Sequence, residues 1–311
     1  MDKTNILWTD ATVNFWWGCS KVSAGCKNCY AEKLSNKDGE DLWGPGKKRR
    51  HLTKRTRGLA YRLDRAAKAS GTRTKAFCSS MSDWLDPEVP LVWLWDVLHT
   101  IAQTPHLDWQ LLTKRPELWR TRLQAVVDEF PMTDGAHMAW GWLAGAAPDN
   151  VWLGVSVEDV STLPRISTLL SIPASVRFVS MEPLLAPLHI DKFVGLQDGY
   201  AWHDCLCNES HPDDRPCSVC DARLSLGAAS GLHWVIVGGE SGPDARPCHQ
   251  DWIRNIVQHC KASGIAVFVK QLGKVSLAGK DNLRYETAHP KGGDIEEFPY
   301  DLQVREFPTV G

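Results

Sequence analysis

At 311 residues, 43% hydrophobic and 23% charged, the chain has the composition of a globular protein long enough for one barrel-sized α/β domain or two smaller ones. Its 35 Lys and Arg against 37 Asp and Glu leave a net charge of −2, which excludes whole-molecule attraction to nucleic acid and leaves that task to local basic patches. No apolar run approaches the roughly 18 residues that span a membrane, and Met1-Asp-Lys-Thr-Asn-Ile6 lacks a signal-peptide pattern. The ten cysteines are therefore expected in a reducing cytoplasm, where metal binding is favoured over disulfides.

In chain order, a first strand is expected over Thr12 to Trp17, followed at once by Cys19, Cys26 and Cys29 in the spacing C-x6-C-x2-C. Ser20, Ser23, Ala24 and Gly25 make the intervening loop small and flexible enough to wrap a metal centre. The strongest basic run follows: Lys47, Lys48, Arg49, Arg50, Lys54, Arg55 and Arg57. It reads equally as a phosphate-binding patch and as a solvated loop entering a helix. Apolar runs bounded by turn residues then recur over 76–80, 109–113, 151–156, 176–180, 233–238 and 265–270, as buried parallel strands do. Between them, helical spacing covers 54–70, 91–103, 116–129, 163–170 and 252–263. Strand alternating with helix predicts a parallel sheet, open or closed into a barrel.

Each strand ends in a polar cluster: Ser79-Ser-Met-Ser-Asp83, Thr113-Lys-Arg115, Ser156-Val-Glu158, Ser180-Met-Glu182, Gly238-Gly-Glu-Ser-Gly242 and Lys270-Gln271. In parallel α/β folds the strand C-termini share one rim, so these residues and the cysteine loop are expected to converge there. Polar helix caps explain any one of them equally well. Between Leu188 and Leu232 the pattern breaks, and Cys205, Cys207, Cys217 and Cys220 fit a closed structural zinc knuckle or an auxiliary iron-sulfur cluster. The expected organisation is an α/β barrel over 1–190 and 230–275, a Cys-rich insertion over 191–229, and a C-terminal extension over 276–311.

Three thiolates with a vacant fourth position suit an iron-sulfur cluster; the alternative is structural zinc with a distant fourth ligand, such as His51 or Cys78. A three-cysteine loop after a first strand, followed by strand-helix units, resembles the radical S-adenosylmethionine (radical SAM) enzymes. More closely, Trp8-Thr-Asp-Ala-Thr12, Gly25-Cys-Lys-Asn-Cys-Tyr-Ala-Glu32, Leu112-Thr-Lys-Arg-Pro116, Gly154-Val-Ser-Val-Glu158, Ser180-Met-Glu-Pro-Leu184, Gly238-Gly-Glu-Ser-Gly-Pro243 and Lys270-Gln-Leu-Gly273 look like a phage-associated three-cysteine-motif family. The resemblance implies a (β/α) partial or full TIM-like barrel of about six to eight strands. It also implies a 4Fe-4S cluster on Cys19, Cys26 and Cys29, S-adenosylmethionine on its open iron, and an electron donor such as flavodoxin or ferredoxin. The usual radical SAM loop is C-x3-C-x2-C, whereas the first gap here is six residues.

Carried over residue by residue, Ser79, Ser80 and Asp83 are placed for the cofactor's amino group, Ser156 and Glu158 for its ribose, and Glu182 for a further polar contact. Cys78, Glu240 and Lys270 are candidate catalytic groups, with Cys78 read first as a core residue. The basic run, with Lys114 and Arg115, suggests a nucleotide or a base within DNA as substrate, modified, isomerised or repaired, as in thymidine hypermodification. The competing expectations are a non-catalytic zinc protein that binds nucleic acid and a radical enzyme acting on a peptide or small metabolite.

Overall fold

The computed structural model describes residues 4–190, 193 and 231–309, without the side chains of 53–57. Seven strands, β1 (Ala11–Val13), β2 (Thr74–Cys78), β3 (Leu107–Thr113), β4 (Val151–Ser156), β5 (Val176–Met181), β6 (Trp234–Gly238) and β7 (Ala266–Gln271), lie side by side in chain order, every pairing parallel. The helices are α1 (Tyr30–Lys37), α2 (Thr53–Ser70), α3 (Leu91–Ala102), α4 (Trp119–Glu129), α5 (Asp134–Leu143), α6 (Pro164–Leu170) and α7 (Gln250–Ala262). The expected α/β class with a parallel sheet is therefore present.

The sheet curls. Trp8, just ahead of β1, lies 4.6 Å from the ring of Phe77 in β2, 6.3 Å from Phe178 in β5 and 6.2 Å from Trp234 in β6, so distant strands face one another across it. Because side chains alternate along a strand, each strand feeds two cores. Trp152, Phe178, Trp234, Ile236 and Phe268 fill the inside, while Leu153, Val155, Val179, Val235, Val237 and Val267 face the helices. The helices answer in kind: Leu94, Val97, Leu98 and Ile101 of α3, and Ile253, Ile256, Val257 and Cys260 of α7, recur at i, i+3, i+4 and i+7 and are buried.

Two departures from the sequence reading concern the edges of the sheet. The single strand expected over Thr12 to Trp17 is broken: Ala11–Val13 joins the sheet, whereas Trp16–Trp17 pairs antiparallel with Arg50–His51. Asn14 makes the break, accepting from the Met81 backbone N–H at 2.9 Å and donating to Ser80 Oγ at 3.0 Å. At the other edge, residues 304–306 run antiparallel to β7, with Val269 N–H bonded to Val304 O at 2.8 Å and Glu306 N–H to Val267 O at 2.9 Å. Phe307 then packs 5.3 Å from Trp234 and 5.5 Å from Phe268, and Lys75 Nζ of β2 sits 5.1 Å above its ring. The C-terminal extension thus covers the N-terminal end of the curled sheet.

Candidate functional site

The inward positions change character along each strand. Phe178 is followed by Ser180 and Glu182, Trp152 by Gly154 and Ser156, and Phe268 by Lys270. The aromatic members seal the N-terminal end, and Ser156, Ser180, Glu182 and Lys270 line a cavity of ≈ 1170 Å³ at the C-terminal end. Cys19, Cys26 and Cys29 line the same cavity, as do Ser79, Ser80, Asp83, Lys114, Arg115 and Glu240. The convergence expected of the strand ends and the cysteine loop is present in the fold.

The cysteine loop enters through Gly18, whose φ of +111° and contact with Leu42 O, 2.6 Å from where a β-carbon would stand, admit no side chain. Cys29 ends the loop as the N-cap residue of α1. Burial pushes the Cys29 thiol above its ordinary value, while the Glu32 and Ala31 backbone N–H groups favour the thiolate. Burial pushes Cys19 up to about 12, reinforced by the charge of Asp83 and opposed by Arg115, whose Nη1 approaches its Sγ at 3.5 Å.

The rim charges are largely committed to the chain itself. Asp83 Oδ1 accepts from Thr113 Oγ1 at 2.7 Å and Oδ2 from Arg115 Nη1 at 3.0 Å, joining the ends of β2 and β3. Ser79, at φ +68°, occupies the left-handed region as the chain leaves β2 for this contact. Glu158 is fully buried against Lys114 Nζ (3.0 Å) and Arg165 Nη1 (2.9 Å). Burial disfavours the Lys114 ammonium, but Glu158 and Cys26 together outweigh it and its pKa lies above the ordinary lysine value. Glu240 is gripped by Arg246 at 2.7 Å; burial opposes its ionisation, but Arg246 and Asn28 hold its carboxyl below the usual value. Lys270 Nζ lies 3.1 Å from Glu182 Oε1, and this pair faces the cavity.

Other predicted site residues lie apart. Cys78 is fully buried in β2 and bonded to Ser79 Oγ at 3.3 Å, within the core facing the helices. His51 stacks on Trp93, with ring centroids 4.2 Å apart. The basic run does not form one free patch. Lys47 pairs with Asp41; Arg49 is buried between Asp86 (2.9 Å) and Glu88 (3.2 Å); Arg50 pairs with Glu40 and lies over the Trp17 ring. Lys48 is exposed, and the side chains of Lys54, Arg55 and Arg57 lie outside the described residues, as do Cys205, Cys207, Cys217 and Cys220.

Sequence reasoning missed the wall supplied by the C-terminal extension: His289, Pro290, Lys291, Gly293, Asp294 and Arg305 all line the cavity. No hydrophobic period marks that stretch, although Gly292 and Gly293 signal a close turn. Among the described residues no helix is long and apolar enough to cross a membrane, and no three His, Cys, Asp or Glu side chains are gathered around a single metal position. No curated protein and no solved structure matches the chain. The family described as "Protein of unknown function (DUF5131)" matches residues 3–299, nearly the whole length, and the chain belongs to that family.

Proposed function

We propose that the chain is a radical S-adenosylmethionine enzyme whose cluster is held by Cys19, Cys26 and Cys29. The observation that carries this reading is that all three cysteines line one cavity with the strand-end polar groups, at the C-terminal mouth of a curled parallel sheet. The donor set fits the group. Three thiolates would hold three irons of a 4Fe-4S cluster and leave the fourth open for the cofactor. The two alternative fourth ligands for zinc, His51 and Cys78, are engaged elsewhere. With S-adenosylmethionine, a bound cluster supplies one-electron cleavage of the sulfonium and a 5′-deoxyadenosyl radical that abstracts hydrogen from substrate.

The chain's own part is binding, orientation and exclusion of water. The aromatic plug of Trp152, Phe178, Trp234 and Phe268 makes the floor beneath the polar layer dry. Ser79, Ser80, Ser156 and Ser180 offer hydroxyls to the cofactor, and the Glu182–Lys270 pair presents an acceptor and a donor side by side to whatever lies above it. The cavity exceeds the size of an ordinary small-molecule site, leaving room for a second ligand beside the cofactor. Lys291 is exposed on its wall, beside Lys21 and Lys33, which pair at the surface with Glu32 and Asp244, so a nucleobase inside with its phosphate toward Lys291 is the substrate class we favour.

The test is anaerobic reconstitution with iron and sulfide, followed by dithionite and S-adenosylmethionine. The expected outcome is about four irons at the three-cysteine site, a brown absorbance and formation of 5′-deoxyadenosine. A fully loaded cluster that yields none, or colourless protein that holds only zinc, overturns the proposal.

A further inference from the structure

Glu158 follows β4 and has no exposed surface, yet it does not line the cavity. Its carboxylate is filled from three directions. Lys114 Nζ from the end of β3 stands 3.0 Å from Oε1, Arg165 Nη1 from α6 stands 2.9 Å from Oε2, and Ser23 Oγ of the cysteine loop donates to Oε1 at 3.2 Å. Gly25 lies on the same carboxylate so closely that a β-carbon there would come within 2.5 Å of Oε1. Lys114 and Arg165 hold the carboxylate from two other elements, so the loop uses a fixed acceptor rather than creating one.

Two further holds flank this contact. Arg246 Nη1 donates to Ala24 O at 2.8 Å while its Nη2 holds Glu240, and Asn28 Nδ2 reaches the same carboxylate at 3.1 Å. Near the start of the loop, Arg115 Nη2 donates to Ser20 O at 2.7 Å. The segment from Ser20 to Asn28 is therefore tied to the ends of three different strands.

We propose that Glu158 is a positioning residue for the cysteine loop: with Lys114 and Arg165 it forms a buried charged seat that fixes Ser23–Cys26, so that Cys26 is set relative to Cys19 and Cys29 before any metal arrives. Ordering a small, flexible loop costs conformational entropy, and here folding meets that cost rather than metal binding. Within the six residues between Cys19 and Cys26, Ser23 and Gly25 are the ones that meet Glu158. The inference rests on the proposed function only for what the thiols bind; the seating of the loop is independent of it.

The test uses reduced, metal-free protein and follows iodoacetamide alkylation of each cysteine by peptide mass spectrometry. Ser23→Ala leaves the ion pairs in place, Gly25→Ala forces the loop and the carboxylate apart, and each is expected to raise the Cys26 rate at least about fivefold, with Cys78 and Cys260 as slow as in the parent protein. Glu158→Gln is expected to raise it further; if that variant does not fold, the two loop variants carry the test. Unchanged Cys26 rates in folded S23A and G25A overturn the proposal, and so does a uniform rise across all cysteines, which would report general loosening. Absence of 5′-deoxyadenosine in the reconstituted protein would overturn the radical chemistry and leave this result standing.

Discussion

The two ends of the barrel are built from the same strands by opposite chemistry. At the N-terminal end, aromatic rings from β2, β4, β5, β6 and β7 meet Trp8 and Phe307 in a dry plug. At the C-terminal end the same inward rows become hydroxyls, carboxylates and ammonium groups around an open cavity. The plug gains stability from area removed from water and requires no partner, whereas each rim charge needs a counter-charge once it is buried. One end can be read strand by strand; the other is specified only in pairs.

The largest effect separating the two ends is expected from replacing Cys19, Cys26 and Cys29 together by Ser. Iron at the three-cysteine site and 5′-deoxyadenosine should fall to background while thermal unfolding stays close to that of the parent; retention of either signal breaks the assignment of chemistry to the rim. Trp234→Ala attacks the plug instead. It empties a fully buried ring in contact with Trp8, Trp152, Phe178 and Phe268, and should cost about 3–5 kcal/mol in a denaturant titration.

Asp86→Ala leaves Arg49, part of a run that reads from sequence as a phosphate-binding patch or a solvated loop, buried without its closest carboxylate and should cost about 3 kcal/mol. Gly154→Ala places a methyl on the Phe178 ring and should cost about 1–3 kcal/mol through overpacking. The smallest effect is expected at Glu240→Gln. Glu240's folded pKa is depressed, so its ionised form contributes stability above the unfolded value, near about 4.3, and that contribution is lost as pH falls through the folded value. The difference between parent and variant, on the order of 1 kcal/mol at neutral pH, should therefore close in acid; a gap constant with pH would show that Glu240 acts only through packing.

Legibility in the sequence followed the same divide. The strands over Val151–Ser156 and Val176–Met181 are buried on both faces, and their mostly apolar runs stand out without any partner. The strand ends could be placed on a common rim because parallel topology leaves them no other location. What could not be read was which rim residues face the cavity and which serve the chain. Glu158 and Ser156 sit two residues apart, but only Ser156 lines the cavity, and the difference is made by Lys114, Arg165 and Ser23, each distant in sequence or on another element. Arg49 and Arg50 were obscure for the same reason, since Asp86 and Glu40 lie 37 and 10 residues away. Helix α5 was missed because Gly135 and Gly141 dilute its helical pattern, although Thr133 caps it by accepting from the Ala136 N–H.

The antiparallel run of residues 304–306 along β7 bears on the order in which the molecule assembles. Until it is synthesised, β7 presents an unpaired edge and the ring of Trp234 lacks its Phe307 cover, although every strand of the sheet has already been made. A nascent chain ending before residue 304 would thus carry all seven strands of the sheet with an adhesive edge, the kind of species that chaperones retain. The same late segment also carries Arg305, which lines the cavity beside the cysteines, so covering the plug and completing the cavity wall fall to one stretch of chain.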